Sequence, residues 1–336
     1  MTRASAARST RMEREIGIPN VGLGTWKART NEVRDAVEKA IECGYTHVDC
    51  AAAYGNEWEV GEAIAACAKD GRTTREKLFV TSKLWNDRRR PEDVREALLT
   101  TLKDLKLEYV DLYLIHWPVC WRRGTVLQND SRASLRECWL ELERCVEDGL
   151  VRHIGVSNFN EQQLAALMDD EGLKIKPACN QIETHPFWTN DALVKYSQSR
   201  GVKVTAYSPL AQGTQHPVLD RIAAKHGVTP AQVVLRWNIQ RDVVVIPKST
   251  SAKRIASNAD LFGFALDVDD LEAMKTLNVG KSCATAPWSE FAPVASRNRW
   301  LRPLGRFLTW PLFVFVSMDV QKIGRPGFIS LKAPWR

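Results

Sequence analysis

The sequence predicts an α/β fold, a single-domain (β/α)8 TIM barrel followed by an atypical C-terminal extension. Three observations carry the prediction. Eight short β-prone runs are each followed by a helix-like segment, which is the alternation that a barrel of parallel strands requires. A chemically capable polar residue stands at or just past the C-terminal end of nearly every run: Asp49, Lys83, His116, Ser157 with Asn158, Gln181, Ser208, and Lys248 with Ser249. Finally, a chain of 336 residues with 44% apolar content is long enough for one large α/β core, although length alone also allows two average domains.

Taken in order, Val21–Gly24 is the first run, and Asn31–Cys43 is its helix, with Val33, Ala36, Val37, Ala40 and Ile41 at helical spacing. The run 45–48 leads to a helix over 57–68, and 78–82 leads to one over 91–106, where Pro91 suits a first turn. The run 110–115 precedes a helix over 134–148, and 153–156 precedes one over 160–169. The run 178–182 precedes 190–199, and 202–207 precedes two helices near 217–226 and 230–240. The run 243–246 leads to a last helix over 251–258.

A doubly wound nucleotide-binding sheet has a similar alternation, so the polar residues must arbitrate. Such sheets gather cofactor chemistry at the first strand-to-helix turn and at the point where strand order reverses. Here the polar groups follow almost every strand, as they do where all strand ends share one face of a barrel. Gly22-Leu23-Gly24 does not complete a dinucleotide fingerprint, because Lys27 stands where a third glycine would be.

Composition excludes several function classes. The net charge of +7 belongs to the ends: residues 295–336 carry +7, residues 1–14 carry +3, and 15–294 carry −3. A basic nucleic-acid-binding face on the body is therefore not expected. Eight cysteines without a CxxC pair point to reduced thiols and a cytoplasmic setting. No apolar run reaches 18 residues, so no membrane-spanning helix is expected. The sequon at Asn129 is a chance-level match. A monomer acting on a small molecule fits this balance. The division we expect is an N-terminus over 1–14 of flexible composition, a barrel over 15–280, and a tail over 281–336.

The stretch from Asp49 to Glu57 organises the chemistry. A tyrosine, Tyr54, follows a strand-end acid by five residues in the loop before a helix. A phenol, which in water ionises only near pH 10 (about three units above neutrality), donates a proton only beside a cation that favours the phenolate. That cation needs an anchor of its own. Lys83 and His116, each closing an apolar run, are the partners on offer.

These residues carry a resemblance. The stretches Gly22–Trp26, Gly44–Asp49 with Tyr54–Glu57, Thr81–Trp85, Asp111–Pro118, Ile154–Phe159, Asn180–Glu183 and Ile246–Ser249 together resemble the aldo-keto reductase family over about Ile18 to Leu277, most closely its aldehyde and aldose reductase branch. The resemblance implies a barrel that binds NADPH in extended form and reduces aldehydes or ketones to alcohols. It implies Tyr54 as general acid, Lys83 as the group lowering its pKa, Asp49 as the anchor of Lys83, and His116 as a neutral donor orienting the carbonyl oxygen. These positioned donors supply the electrophilic assistance, so no metal ion is called for. It also implies Thr25, Trp26 and Asp49 near the cofactor. Ser157, Asn158 and Gln181 would hold the nicotinamide carboxamide, and Tyr207 would stack on the ring. Ser208 and Leu210 would lie in the loop over the pyrophosphate, with Lys248, Ser249, Arg254 and Asn258 at the adenosine end. Lys248 and Arg254 suit a 2′-phosphate. Ser257 departs from the glutamate common in that motif, which puts one adenosine contact in doubt. Relatives that keep the fold but act through protein contacts leave a regulatory or structural role as the alternative.

Trp26, Trp85 and Trp117, with His116, match pocket positions and would wall the substrate site with aromatic surface. Trp121, in the long loop 119–133, is either a further wall or a surface residue. The tail over 295–336 carries a 12-residue apolar run, Phe307–Met318, interrupted by Pro311 and flanked by arginines and lysines. It has three readings: a substrate loop over the barrel mouth, a contact with an anionic membrane surface, or an addition without function.

Overall fold

The computed structural model describes residues 16–29, 31–125, 128–211, 213–280 and 282. The tail over 295–336 and residues 1–14, on which some expectations above fall, lie outside the described residues.

Eight strands, β1 (Leu23–Gly24), β2 (His47–Asp49), β3 (Phe79–Leu84), β4 (Val110–Ile115), β5 (Val151–Ser157), β6 (Cys179–Glu183), β7 (Lys203–Tyr207) and β8 (Val243–Val245), form one parallel sheet in sequence order. The sheet curls until its ends meet. Val21 bridges Val245 in parallel, Gly22 N donates to Val245 O (2.8 Å), and Gly24 N donates to Pro247 O (3.2 Å). The predicted barrel is therefore closed.

Among the described residues ten α-helices surround it: α1 (Glu32–Glu42), α2 (Glu57–Lys69), α3 (Pro91–Leu105), α4 (Leu135–Glu147), α5 (Glu161–Met168), α6 (Asp191–Ser199), α7 (Pro217–His226), α8 (Pro230–Ile239), α9 (Ala252–Ala259) and α10 (Val268–Lys275). The apolar positions of α1 predicted from spacing are the ones buried. Local chemistry fixes several boundaries. Pro91 opens α3, and Asn160 with Gln163 forms a reciprocal capping box on α5. Gly44 takes a φ of +86° to turn the chain out of α1 into β2. Helix α10 was not expected; its Asp267–Asp270 capping box follows the apolar run 261–266, and the helix itself is short and polar, with only Met274 of its apolar residues buried.

Strand alternation sorts the side chains. From β4, Leu112 and Leu114 pack inside the barrel with Ile16, Ile18, Cys179 and Val244, while Tyr113 and Ile115 pack outward against the helices. Because Asp49 pairs in register with Thr81, Lys83 lies one residue pair further on the inward face. Close approaches account for the two glycines of the incomplete fingerprint. A Cβ on Gly24 would lie 2.6 Å from Ile246 O, and one on Gly22 would lie 2.5 Å from the His47 ring. Gly24 answers to packing at the β1–β8 seam and Gly22 to the ring of His47 in β2, rather than to a phosphate.

Candidate active site

The strands' C-terminal ends place the predicted polar residues on one face of the barrel. Lys83 is fully buried, and its Nζ donates to Asp49 Oδ1 (2.5 Å), to the carbonyl of Cys50 (2.7 Å) and to Tyr54 Oη (3.3 Å). The second oxygen of Asp49 accepts from Gln181 Nε2 across the lumen (2.7 Å). Asp49 is thus gripped from β3 and β6, and Lys83 keeps one N–H for the phenol.

The loop bearing Tyr54 is a single 3-10 turn, Ala52–Tyr54, ended by Gly55 at a φ of +67°. Asn56 Nδ2 donates to Thr25 O (3.0 Å), and Thr25 Oγ1 donates to Asp49 O (2.9 Å). Sequence reasoning gave Asn56 no role and linked Thr25 only to the cofactor. Asn56 reads as a helix cap, yet as N-cap of α2 it makes no side-chain cap bond and spends its amide on β1.

Electrostatics follow from burial. Tyr54 is pushed up to about 12, first by burial; Lys83 pulls it down and Asp49 pushes it up. The expected lowering by Lys83 is present as a contribution, but burial outweighs it in the free protein. Burial pulls the Lys83 ammonium down, yet Asp49 and Tyr54 more than compensate, and it ends above its ordinary value. His116 is held well below its ordinary value, first by burial and then by the Lys83 charge. Its buried Nδ1 finds no partner among the described residues, so nothing there compensates an imidazolium. A neutral imidazole is the result.

Aromatic rings surround His116. Tyr54 (5.8 Å, 77°) and Trp85 (5.0 Å, 70°) meet it edge-on, and Trp117 stacks at 6.4 Å. Trp121 is 4% exposed and packs edge-on against Trp85 (5.5 Å), so it is not a surface residue. Trp26 is half-buried, with Lys27 Nζ 4.3 Å above its ring. Lys27 has a φ of +58°, a conformation that its residue type does not announce in the sequence.

Beside this cluster lies a shelf of amides. Asn158, held at a φ of +64°, donates through Nδ2 to His116 O (3.0 Å) and Ser157 Oγ (3.1 Å), and accepts from Tyr207 Oη (2.8 Å). Ser157 Oγ donates to Gln181 O (2.8 Å). At the end of β8 and along α9, Lys248 and Arg254 are exposed and meet no carboxylate among the described residues, while Ser249 and Asn258 are buried. Ser208 is half-buried at a φ of +47°, and Leu210 packs against the cluster around Leu219 and Ile222. Hydrogen bonds and ring contacts therefore join Thr25, Asp49, Tyr54, Lys83, Trp85, His116, Trp117, Ser157, Asn158, Gln181 and Tyr207. Trp26 after β1, Ser208 and Leu210 after β7, and Lys248, Ser249, Arg254 and Asn258 after β8 join that chain through no hydrogen bond or ring contact among the described residues.

Known proteins agree with this architecture. The Aldo/keto reductase family matches over residues 17–279. The chain belongs to the aldo-keto reductase family. It is 42% identical over 283 residues to Aldo-keto reductase family 1 member A1 of Cricetulus griseus, covering 78% of this chain and 86% of that one. The human protein of the same name is 41% identical over 284 residues, with the same coverage. Among solved structures, the aldose reductase of Schistosoma japonicum superposes with a TM-score of 0.78 at 43% identity, covering 83% of this chain and 95% of the other. An aldo-keto reductase of Bombyx mori in complex with NADP gives 0.77 at 38% identity, covering 82% and 93%. The aldo-keto reductase is an NADP-dependent oxidoreductase of carbonyl compounds, in the branch of the aldehyde and aldose reductases.

Proposed function

We propose that the protein reduces small aldehydes with NADPH, with Tyr54 as the proton donor and residues 15–280 as the catalytic barrel. The observation that carries this reading is the chain Tyr54–Lys83–Asp49–Gln181 beside a neutral His116, under a wall of indoles. The donor set fits the cofactor. Ser157, Asn158 and Gln181 offer hydroxyl and amide groups suited to a carboxamide, and Tyr207 offers an aromatic face. Lys248 and Arg254, without carboxylate partners among the described residues, suit a phosphate dianion. Bound there, NADPH supplies the hydride.

The protein's own residues handle the oxygen. His116 orients the carbonyl from the aromatic side, and Tyr54 Oη delivers the proton as negative charge develops on that oxygen. A phenol raised to about 12 stays protonated at neutral pH, and an alkoxide-like oxygen is far more basic than a phenolate. Proton transfer is therefore downhill once hydride arrives. Lys83 at 3.3 Å then stabilises the phenolate left behind. Trp85, Trp117, Trp121 and Trp26 favour aldehydes with compact apolar or aromatic bodies. The test is NADPH oxidation across an aldehyde panel by wild type and Tyr54→Phe. The variant should bind NADPH normally and lose at least about 100-fold in kcat, as expected for a missing general acid. Retention of half the wild-type rate with the best aldehyde removes Tyr54 from the role.

A further inference from the structure

A second buried acid lies three residues beyond Tyr54. Glu57 opens α2 and is 3% exposed. Its Oε1 accepts from Ser82 Oγ (2.5 Å) and its Oε2 from Thr101 Oγ1 of α3 (3.1 Å). It makes no ion pair among the described residues. Burying an unpaired carboxyl is costly, and a leucine of similar size would fill the space between barrel and helices more favourably. Packing does not account for it.

Its placement does. Ser82 directly precedes Lys83 in β3, and alternation turns Ser82 towards the helices and Lys83 into the lumen. In the 3-10 turn carrying Tyr54, Ala52 is exposed and Ala53 and Tyr54 are half-buried, and its backbone hydrogen bonds, Tyr54 N to Ala51 O and Gly55 N to Ala52 O, are internal to the loop. What fastens the loop on its far side is the pair that follows: Asn56 to β1, and Glu57 to β3 and α3. At 3.3 Å the Lys83–Tyr54 contact is the longest of the three that Lys83 makes, and hence the one most exposed to a shift of the loop.

We propose that Glu57 is a positioning residue for the reaction: its carboxylate ties the loop that carries Tyr54 to the strand that carries Lys83, and so sets the distance between phenol and ammonium. The proposal rests on the reading of Tyr54 as proton donor. Misplacement of a reacting group by about 1 Å can cost about 100-fold in rate, so a lost tether is visible in kcat without loss of the fold.

The experiment compares Glu57→Leu, Glu57→Gln and Ser82→Ala in the full chain, reading kcat, KM for the best aldehyde and the Kd for NADPH. Glu57→Leu should lower kcat by about 10- to 100-fold with NADPH Kd changed less than about threefold. Glu57→Gln should recover most of the rate, because its amide can still donate to Ser82 Oγ and accept from Thr101. Ser82→Ala, which leaves the carboxyl in place, should show a partial loss and keeps the test open if Glu57→Leu does not fold. Repeating Glu57→Leu in a Tyr54→Phe background separates the two readings, since a tether acting through Tyr54 costs nothing further once the phenol is gone. A folded Glu57→Leu with wild-type kcat overturns the proposal, as does a Glu57→Gln as impaired as Glu57→Leu or a full loss in the Tyr54→Phe background. A fully active Tyr54→Phe instead overturns the proton-donor reading itself.

Discussion

Two buried aspartates on neighbouring parts of the sheet are supported in opposite ways. Asp111, near the start of β4, lies at the N-terminal end of the barrel and is 3% exposed. It accepts from Arg75 (2.7 Å), from Arg152 (3.0 Å) and from the backbone of Val80 (2.9 Å). Both guanidiniums also stack on Tyr109, at 3.8 and 4.1 Å, and Arg152 reaches solvent. Asp49, ending β2 at the opposite face, has one buried ammonium and one amide. The Asp111 site has more donors than it needs, and each does nothing but hold the strands. The Asp49 site has few, and the ammonium it anchors is shared with a phenol. Interactions at the first end are spent on stability. At the second, on the proposed reading, part of the charge is kept for chemistry, as expected of the face where barrels place their sites.

Lys83→Met breaks the second arrangement most severely. It leaves Asp49 buried without its cation, which costs roughly 3–5 kcal/mol, and removes the group that stabilises a Tyr54 phenolate. Thermal unfolding should therefore drop together with a kcat loss comparable to that of Tyr54→Phe. Tyr54→Phe alone should leave the melting temperature near wild type. Equal melting temperatures for Lys83→Met and wild type would show that Asp49 does not depend on Lys83.

Asp111→Asn breaks the first arrangement. Charge-assisted hydrogen bonds are worth roughly 1.5–3 kcal/mol, discounted here because Arg152 is half exposed. A lower melting temperature with unchanged kcat and KM is expected. A fall in kcat would mean that the two ends are coupled.

Arg254→Ala sharpens the comparison from the side of recognition, where a charge has no carboxylate partner among the described residues. NADPH binding should weaken by about tens-fold while NADH binding hardly changes, because only the former carries the extra phosphate. Equal losses for both cofactors would make Arg254 structural.

Much of the fold was legible in the sequence because barrel strands carry their signal locally, as apolar runs ending in polar residues. The face of α1 and the strand-end positions of Asp49, Lys83 and His116 follow from periodicity alone. What was not legible depends on register across the lumen. Nothing in the sequence says that Gln181 reaches Asp49, or that Asn56 leaves its capping role to bind β1. Trp121 could not be placed because a loop tryptophan has no period, and α10 was missed because its apolar spacing is weak. The glycines of the GxG run were visible, but not their reasons, which are contacts made only on folding: Gly22 against the His47 ring and Gly24 against Ile246 O at the seam between β1 and β8, more than two hundred residues away.

The smallest effect expected concerns Glu57, which belongs to neither pattern, being a buried acid with no ion pair among the described residues. Burial first, and then Asp104, raise its carboxyl from 4.5 to about 7, while Ser82, Thr101 and Lys83 pull the other way. A carboxyl raised in the folded state favours folding when protonated. That contribution is complete below the unfolded value and is lost as pH rises through about 7. Glu57→Gln removes the ionisation but keeps the size and most of the hydrogen bonding. Relative to Glu57→Gln, wild type should therefore lose stability between about pH 4.5 and 7 and then level off, as linkage requires. Denaturant unfolding of both proteins at several pH values reads this difference directly. Parallel pH profiles would mean that the hydroxyls of Ser82 and Thr101 offset the burial and keep Glu57 ionised without cost. The comparison would then sharpen, since Glu57 would act like Asp111, satisfied by its donors, while still sitting next to the residue that anchors the chemistry.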